Sequence, residues 1–443
     1  MTPESENAGV PRRIWNATSL QVAGRLFGSA CTFAVLALLA RHLSVGEFGR
    51  YTFYLAVFGL LDSLTDFGTG AVSVQMTAGD PWALPGVLRT ARRVRAFMAL
   101  LGGLGLALGV WIGGEEGAVW IALAAVYELT HVFELSAVVF KNKIAWGVPV
   151  TARAFASLAR LGAIVLLWKL GIESAAPFVL ATAAGSSVAN IALHFASRRH
   201  LPRPTIAVRA PSGFLAAALP LGLAGLCQQL YFYIDNVFVR LMTGEEPLGH
   251  YNAGVRVMSF LIMIAQYAGV TALPWLTRRQ ERGELGAAVA DLVQPLWLLS
   301  AVGAGLAWPW AGFVLELLYG PDFAPSATSF RWLLLATVAI YAGSSLLTAL
   351  VSTGGTRKLF AITALGLLVN VVGNAALVPA YGIEGAALAT LATEILIAAG
   401  AVVALGPVGR TALKRRPLRW LAAPFLFAAA LGLSHLAASW WIA

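Results

Sequence analysis

The sequence GIESAA at residues 171–176 returns as GIEGAA at residues 382–387, with one substitution. A second pair of related stretches lies upstream of these copies: RHLSVGEFGRY at residues 41–51 and RLMTGEEPLGHY at residues 240–251. The two pairs occur in the same order along the chain. The sequence therefore predicts that one half of the protein repeats the other.

Composition indicates the environment of this repeat. Charged residues make up 12% of the chain and hydrophobic residues 58%, whereas about 25% of residues are charged in an ordinary globular protein. A helix that crosses the hydrocarbon core of a bilayer needs about 20 mostly apolar residues. Such runs predict thirteen transmembrane helices, near residues 14–40, 51–76, 94–113, 117–140, 148–169, 174–196, 213–240, 250–276, 292–318, 327–353, 358–379, 382–405 and 418–442.

The distribution of basic residues gives the orientation. Cytoplasmic loops of membrane proteins are enriched in Lys and Arg. With a cytoplasmic N-terminus and thirteen alternating helices, most of the 31 Lys and Arg residues fall in inner loops. The net charge of +10 is thereby explained without a nucleic-acid partner, and we expect a multi-pass membrane protein.

The spacing of the repeat predicts the architecture. Each stretch recurs six helices later, so both halves enter the membrane in the same sense, as in the parallel repeats of some secondary transporters. We expect an all-α polytopic membrane protein with two pseudo-symmetric six-helix lobes, a cavity between them that opens to either side, and one extra C-terminal helix. The predicted segments are a cytoplasmic N-terminal segment 1–13, lobes 14–200 and 213–405, a cytoplasmic linker 201–212, a basic cytoplasmic loop 406–417 and the extra helix 418–443.

Two arginines in predicted helices suggest the charge of the substrate. Arg25 lies midway along the first predicted helix and Arg256 lies in the outer half of the eighth. Charged residues inside a membrane are costly, and they mark functional positions by default. Because the planar guanidinium group binds phosphate in a bidentate manner, both residues are candidates to bind a phosphate or diphosphate. The alternative is that neighbouring acidic residues neutralise them.

The remaining intramembrane charges fall into two groups. Three acidic residues are candidates for gating or ion coupling: Asp62, Asp66 and Glu394. Depth along the helices matches Arg25 with Asp66, and it predicts ion pairs between helices within a second group: Glu128, His131, Glu134, Arg153 and Arg160. The Glu-x-x-His spacing of Glu128 and His131 occurs only once, whereas di-iron bundles need two copies, so no metal site is predicted.

Motifs for covalent chemistry and ATP binding are missing from the sequence. There is no G-x-x-x-x-G-K-[ST] loop, and no loop combines a nucleophile with a base. We therefore expect a transporter and not an enzyme, with no cofactor other than a coupling cation or proton.

Four stretches resemble one family. They are LARHLSVGEFGRYTFYLAVFGLLDSLTDFGTG in the first two helices, YIDNVFVRLMTGEEPLGHYNAGVRVMSF in helices seven and eight, LYGPDFAPSATSFRWL before helix ten, and NVVGNAALVPAYGIEGAALAT in helices eleven and twelve. Together they resemble the polysaccharide-transport flippases of the multidrug/oligosaccharidyl-lipid/polysaccharide (MOP) superfamily. The resemblance covers roughly residues 14–405.

The resemblance implies a flippase of the bacterial inner membrane that moves an undecaprenyl-diphosphate-linked oligosaccharide. It matches Arg25 and Arg256 with cavity arginines of peptidoglycan-precursor flippases, and it matches Asp235 with a helix 7 aspartate, which we interpret as a gating or coupling residue. Glycosyltransferases or polymerases are expected partners, besides membrane lipids. Such flippases often have two further helices that line a groove for the lipid tail, whereas residues 418–442 provide only one.

Three alternatives remain at this point. A cation-coupled multidrug exporter of the same superfamily would use the acidic residues to hold cationic drugs. A flippase of the lipid II type would move the cell-wall precursor. A membrane scaffold would bind a glycosyltransferase or polymerase through its basic inner loops and transport nothing.

Overall fold

The protein is represented by a computed structural model, which describes the backbone of residues 9–77, 80, 82–143, 145–201 and 213–442, and within those ranges the side chains from Ser19 to His435. The described residues are helical and contain no strand, so the predicted all-α class is confirmed. Most of the predicted linker 201–212, and residues 1–8 of the predicted N-terminal segment, lie outside the described part.

The first half of the described chain contains nine α-helices and one short 3₁₀ helix, Val132–Ser136, between α6 and α7. The α-helices are α1 (Gly9–His42), α2 (Val45–Asp66), α3 (Thr69–Thr77), α4 (Leu84–Ile112), α5 (Ala118–Ala124), α6 (Val126–His131), α7 (Ala137–Asn142), α8 (Gly147–Lys169) and α9 (Ala175–Arg198).

The second half contains eight α-helices and a 3₁₀ helix, Pro321–Ser326, before α14. The α-helices are α10 (Phe214–Thr243), α11 (Glu245–Glu281), α12 (Leu285–Ala307), α13 (Ala311–Tyr319), α14 (Ala327–Ser352), α15 (Thr356–Leu405), α16 (Pro407–Lys414) and α17 (Pro417–Ile442).

Twelve helical segments of the described residues are long and apolar enough to cross a membrane. One of them, α15, has 50 residues and would be about 75 Å long if it were straight. Gly382 interrupts it with a left-handed backbone conformation, φ 56° and ψ −133°. Beyond this turn the chain folds back, because Gly373 packs against Ala389 and Gly366 against Ile397. The segment is therefore an antiparallel pair of spans, which gives the thirteen that the sequence predicts.

The chain divides into two compact units. Unit 1 contains the described residues up to Leu43 and those from Tyr54 to Leu226, and unit 2 contains Ser44–Phe53 and the described residues from Cys227 onward. The divisions fall inside α2 and α10, whereas the predicted boundaries fall in loops. The first turns of α2 belong to unit 2 because they pack against the start of α11, where Gly49 and Gly249 approach so closely that neither site has room for a Cβ atom.

Each unit has its own apolar core. In unit 1 the core includes Val87, Val139 and Phe140, all fully or almost fully buried. In unit 2 it includes Val293 and Leu276, both fully buried. Small residues let helices of a membrane protein approach closely, and Gly24 beside Val150 places α1 against α8 in this way.

Several expected helices differ in form, and the one predicted at 51–76 divides into α2 and α3. The helix predicted at 117–140 consists of α5, α6, a 3₁₀ turn and α7, and this irregular stretch carries Glu128, His131 and Glu134. The helix predicted at 292–318 ends at Ala307, because Pro309 lacks the N–H group that a continuous helix requires. Another helix, predicted at 94–113, begins earlier, at Leu84.

Candidate functional site

A polar network in unit 1 connects α2, α3 and α4. Arg95 is 1% exposed and forms an ion pair with Asp66. Its Nε atom donates a hydrogen bond to Thr69 Oγ1 at 2.9 Å, and its Nη1 atom lies 3.5 Å from Glu134 Oε2. A buried guanidinium group is tolerated only when carboxylates and further hydrogen bonds compensate it. This network provides such compensation.

The same network extends through His131 on α6. The His131 Nε2 atom lies within hydrogen-bonding distance of Glu134 Oε2, at 2.9 Å, and Nδ1 lies 3.0 Å from Asp62 Oδ1. Glu128 is fully buried and accepts a hydrogen bond from Thr65 Oγ1 at 3.0 Å. Ligand atoms of Asp62, Glu128 and His131 lie within 4.8 Å of one another, so α2 and α6 place these three polar groups together.

Two arginines of α8 make different contacts. Arg153 Nη2 donates to Glu134 Oε1 at 3.1 Å, which joins α8 to the network. Arg160 Nη2 donates to Thr32 Oγ1 on α1 at 2.6 Å instead of to Glu128 or His131, the partners expected from depth. A depth estimate gives the level of a residue in the membrane, but not the side of the helix from which its side chain points.

Within this network Asp66 has a different partner from the one expected. The sequence matched Asp66 with Arg25 by depth, whereas the structure pairs it with Arg95. Arg25 lies on α1 of unit 1, where its side chain is exposed. Arg95 lies at the very start of the helix predicted at 94–113, whereas the earlier start of α4 at Leu84 places it three turns inside the helix.

A second polar cluster lies in unit 2 around Asp235 of α10. Asp235 is 2% exposed. Its Oδ2 atom accepts hydrogen bonds from Tyr251 Oη at 2.7 Å and Thr390 Oγ1 at 2.6 Å, and its Oδ1 atom accepts one from Asn374 Nδ2 at 2.6 Å. Among the described residues, no Lys or Arg forms an ion pair with it. Asp235 is thus a buried carboxyl group surrounded by neutral donors.

The helices around Asp235 contribute further polar side chains. Asn370 lies one turn before Asn374, both are fully buried, and Asn374 Nδ2 also lies 3.1 Å from Asn370 Oδ1. Glu394, 5% exposed, lies one turn after Thr390 and therefore on the same helix face. The helical hairpin at Gly382 is what brings Asn374 and Thr390 to one carboxyl group.

Arg256 of α11 occupies a separate position in unit 2. Its Nη2 atom donates to the backbone carbonyl of Thr52 at 3.1 Å, and its buried Nε atom has no hydrogen-bond partner within the described part of the chain. The side chain is half-buried. A guanidinium group with a free N–H donor and no carboxylate beside it is suited to an anion.

The repeated turns around Arg256 contact each other within unit 2. Arg50 Nη2 lies 3.0 Å from Glu245 Oε2, and Asn252 Nδ2 donates to Thr52 Oγ1 at 2.9 Å. Phe48 packs against the rings of Tyr319 and Phe323. We name this group of residues, 44–53 with 244–256, the outer turn contact. The sequence identified both turns as copies but did not indicate that they pack together.

Several residues of these clusters were not predicted. They are Thr65, Thr69 and Arg95 in unit 1, and Tyr251, Asn370, Asn374 and Thr390 in unit 2. The paired asparagines were detectable, because two amides four residues apart on an apolar helix share one face. Hydroxyl side chains gave no comparable indication, since Thr and Tyr are common on helices without such roles.

Comparison with known proteins agrees with the fold. The family model MatE matches residues 220–376, and the model described as "Polysaccharide biosynthesis protein" matches residues 148–280. A curated relative, "Probable low-salt glycan biosynthesis flippase Agl15" of Haloferax volcanii, is 22% identical over 383 residues, which cover 82% of this chain and 78% of that protein. These matches agree with the resemblance to the MOP superfamily.

Two solved structures share the fold. The lipid II flippase MurJ in an inward closed conformation superposes with a TM-score of 0.68 at 11% identity, covering 94% of this chain and 98% of that one. A variant of the Vibrio cholerae MATE transporter VcmN superposes with a TM-score of 0.63 at 14% identity, covering 94% of this chain and 100% of that one. The chain therefore has the multi-pass helical fold of these two proteins, as the resemblance implied.

Proposed function

We propose that this MOP transporter flips an undecaprenyl-diphosphate-linked oligosaccharide, the repeat unit of a polysaccharide, from the inner to the outer leaflet of a bacterial plasma membrane. The observation that carries the proposal is Arg256, a half-buried guanidinium group with an unsatisfied Nε donor. A diphosphate supplies the charge and the acceptor geometry that this group lacks. The match to the polysaccharide family and the flippase name of the archaeal relative support the same substrate class.

In this proposal the two units have related roles. Arg25 in unit 1 and Arg256 in unit 2 each contact the diphosphate during an alternating-access cycle. The outer turn contact closes the outer side when it forms, and its separation releases the lipid to the outer leaflet. The other expected gating residues, Asp62 and Asp66, lie in the polar network of unit 1, where a change in ion pairing would accompany helix movement.

Asp235 is the proposed coupling residue. A carboxylate inside a membrane requires a counter-charge or a proton, and only neutral donors surround Asp235 in the described part of the chain. A coupling cation or proton supplies the missing positive charge, and Glu394, one turn after Thr390, adds a second carboxyl group. Binding there would influence α10 and α11, and α11 also carries Arg256.

The proposal includes no catalytic step. The polar groups described here bind and orient charged groups, and no nucleophile with an activating base is required for a lipid to change leaflet. Proposed partners are the lipid-linked substrate, the surrounding lipids and the glycosyltransferases or polymerases that make and use the sugar.

The test is reconstitution of the full chain in proteoliposomes with a fluorescent undecaprenyl-diphosphate sugar. We expect Arg256→Ala to reduce transbilayer movement at least about tenfold, as loss of a charge-assisted contact of roughly 1.5–3 kcal/mol implies, while Arg256→Lys keeps partial activity. Arg331→Ala is a matched control, because Arg331 also donates to a backbone carbonyl, that of Trp308 at 3.1 Å. Equal rates for wild type and Arg256→Ala would overturn the proposal.

A cation-coupled multidrug exporter is the second candidate. The observation that favours it is the buried carboxyl group of Asp235, which could hold a cationic drug as well as a small cation. Efflux of a cationic dye from the same proteoliposomes distinguishes the two. Dye transport that depends on Asp235 but is unaffected by Arg256→Ala would support the exporter. Transport of a labelled peptidoglycan precursor in preference to oligosaccharide repeat units would instead indicate a lipid II-type flippase.

A further inference from the structure

An open groove of about 610 Å³ lies on unit 1, outside the polar clusters described above. The first turns of α4, the end of α6 with the following 3₁₀ turn, and Leu201 line it. Its walls are mostly apolar, with Leu88, Leu129 and Phe133 among them. Three arginines of α4 also line the groove: Arg89, Arg92 and Arg93.

These arginines lack anionic partners in the described part of the chain. Arg92 Nη2 donates to Ser136 Oγ at 3.0 Å, and its buried Nε atom has no partner there. Arg89 and Arg93 are exposed and form no ion pair with a described residue. On α9, Arg198 lies 5.1 Å from the centre of the Phe195 ring and is close enough to Arg92 for the two positive charges to interact, so it adds to the positive charge near Arg92.

The surface that continues from the groove along α4 is apolar and exposed. Phe97, Leu101 and Leu104 are 64%, 58% and 66% exposed, and Val126 on α6 is also exposed. Leu104 lies 15 residues beyond Arg89, a rise of about 22 Å along the helix. One leaflet contributes roughly 15 Å of hydrocarbon. A basic end followed by an apolar face of this length matches the length and polarity of one phospholipid molecule.

The orientation places the basic end at the inner leaflet. The start of α4 is on the cytoplasmic side in the topology predicted from the distribution of Lys and Arg. Anionic lipids of that leaflet attract basic side chains at the membrane surface, and basic pockets between helices on this side can hold their head groups.

We propose that this groove binds an anionic phospholipid of the inner leaflet. The phosphate lies among Arg89, Arg92 and Arg93, where the free Nε donor of Arg92 contacts it. The acyl chains lie along the exposed apolar face of α4. A free phosphate ion could use the same guanidinium groups but would make no contact with the apolar part of the groove wall, which includes Leu129, so the structure favours a lipid. This site does not depend on the transported substrate.

The test measures binding of phosphatidylglycerol to the full-length protein in neutral detergent, by native mass spectrometry, with phosphatidylcholine as reference. We expect wild type to prefer phosphatidylglycerol. Arg89→Gln/Arg92→Gln/Arg93→Gln should weaken phosphatidylglycerol binding at least about tenfold, because three charge-assisted contacts are lost, while phosphatidylcholine binding changes little. The matched control, Arg357→Gln/Arg410→Gln/Lys414→Gln, removes three exposed basic residues from unit 2 and should keep the preference.

Other outcomes would contradict the proposal. If the control loses the preference as strongly as the groove variant, the effect is the overall charge of the protein. If inorganic phosphate displaces the lipid at equal concentration, the groove is a simple anion site. If an isoprenyl diphosphate displaces phosphatidylglycerol and is then transported, the groove belongs to the substrate pathway.

A second variant tests the groove even if the protein with the triple substitution folds poorly. Leu129→Glu places a carboxylate at an exposed position of the same groove and leaves all three arginines in place. It should reduce phosphatidylglycerol binding with no change in the unfolding temperature of lipid-free protein. Unchanged lipid preference in this variant and in a folded Arg93→Gln would contradict the assignment of the groove.

Discussion

Asp66 and Asp235 are aspartates of transmembrane helices whose surroundings differ in charge. Asp66 faces the buried guanidinium group of Arg95, so its negative charge is balanced inside the protein. Asp235 is held by Tyr251, Asn374 and Thr390, all of them neutral. Because a single charge in an apolar interior is unfavourable, the two carboxyl groups should respond differently to the same substitution.

Replacement of Asp235 by asparagine should affect transport more than folding. Asn keeps the size of the side chain and one acceptor oxygen, so much of the hydrogen bonding persists. It removes the group that would bind a cation or proton. We expect the transport rate to fall at least about tenfold and to lose its dependence on the cation or proton gradient, as measured in proteoliposomes with imposed gradients. Retention of wild-type gradient dependence would exclude Asp235 as the coupling residue.

The same change at Asp66 should also lower the stability of the fold. Asp66→Asn leaves the buried charge of Arg95 with only Glu134 at 3.5 Å, which we expect to cost about 1–3 kcal/mol. The unfolding temperature of the detergent-solubilised protein should decrease. Asp291→Asn is the matched control, because Asp291 pairs with Arg415 at the surface and such pairs contribute about 0–1 kcal/mol. If Asp66→Asn lowers the unfolding temperature no more than Asp291→Asn does, the buried charge of Arg95 does not need the Asp66 carboxylate.

At the scale of helices, the sequence predicted where the membrane spans lie better than it predicted where helices begin or are interrupted. Hydrophobic runs and turn residues indicated nearly all spans, and GIEGAA marked the reversal at Gly382 correctly. The early start of α4 was missed, because Arg89, Arg92 and Arg93 look like a loop when the side chains they face are unknown. The 3₁₀ turn after His131 was also missed, since it arises from tertiary packing and carries no Gly or Pro.

Glycines in the outer turn contact provide a test at the same scale. A Cβ atom at Gly49 would lie 2.7 Å from the Gly249 backbone nitrogen, closer than packed atoms tolerate. Gly49→Ala should therefore separate α2 from α11 and lower the unfolding temperature. Gly105→Ala is the matched control, because nothing lies within 4 Å of a Cβ atom there and alanine favours a helix by about 1 kcal/mol. A neutral Gly49→Ala would mean that the contact is dispensable.

At the scale of the whole molecule, duplication was visible in the sequence but the composition of the units was not. Matching short stretches six helices apart identifies the repeat. It does not show that residues 44–53 pack with the second unit, because that depends on glycine contacts between distant segments. The same limit applies to the candidate site, because its contacts also join distant segments of the chain. Charged residues such as Asp235 and Arg256 were conspicuous in an apolar sequence, while the neutral donors around them became apparent only when the helices were assembled.

The number of spans makes a final prediction about the molecule as a whole. If α15 is two spans, the chain crosses the membrane thirteen times, and its two ends lie on opposite sides. Green fluorescent protein fused after Leu405 should fluoresce, because that position is cytoplasmic, and fused after α17 it should stay dark outside. Alkaline phosphatase fused at the same two positions should give the opposite pattern.

The turn itself can be tested by a cysteine at Glu384, which should react with a membrane-impermeant maleimide from outside. Cytoplasmic fluorescence from both fusions would mean that α17 does not cross the membrane, and an unreactive Glu384→Cys would place the α15 turn away from the outer surface.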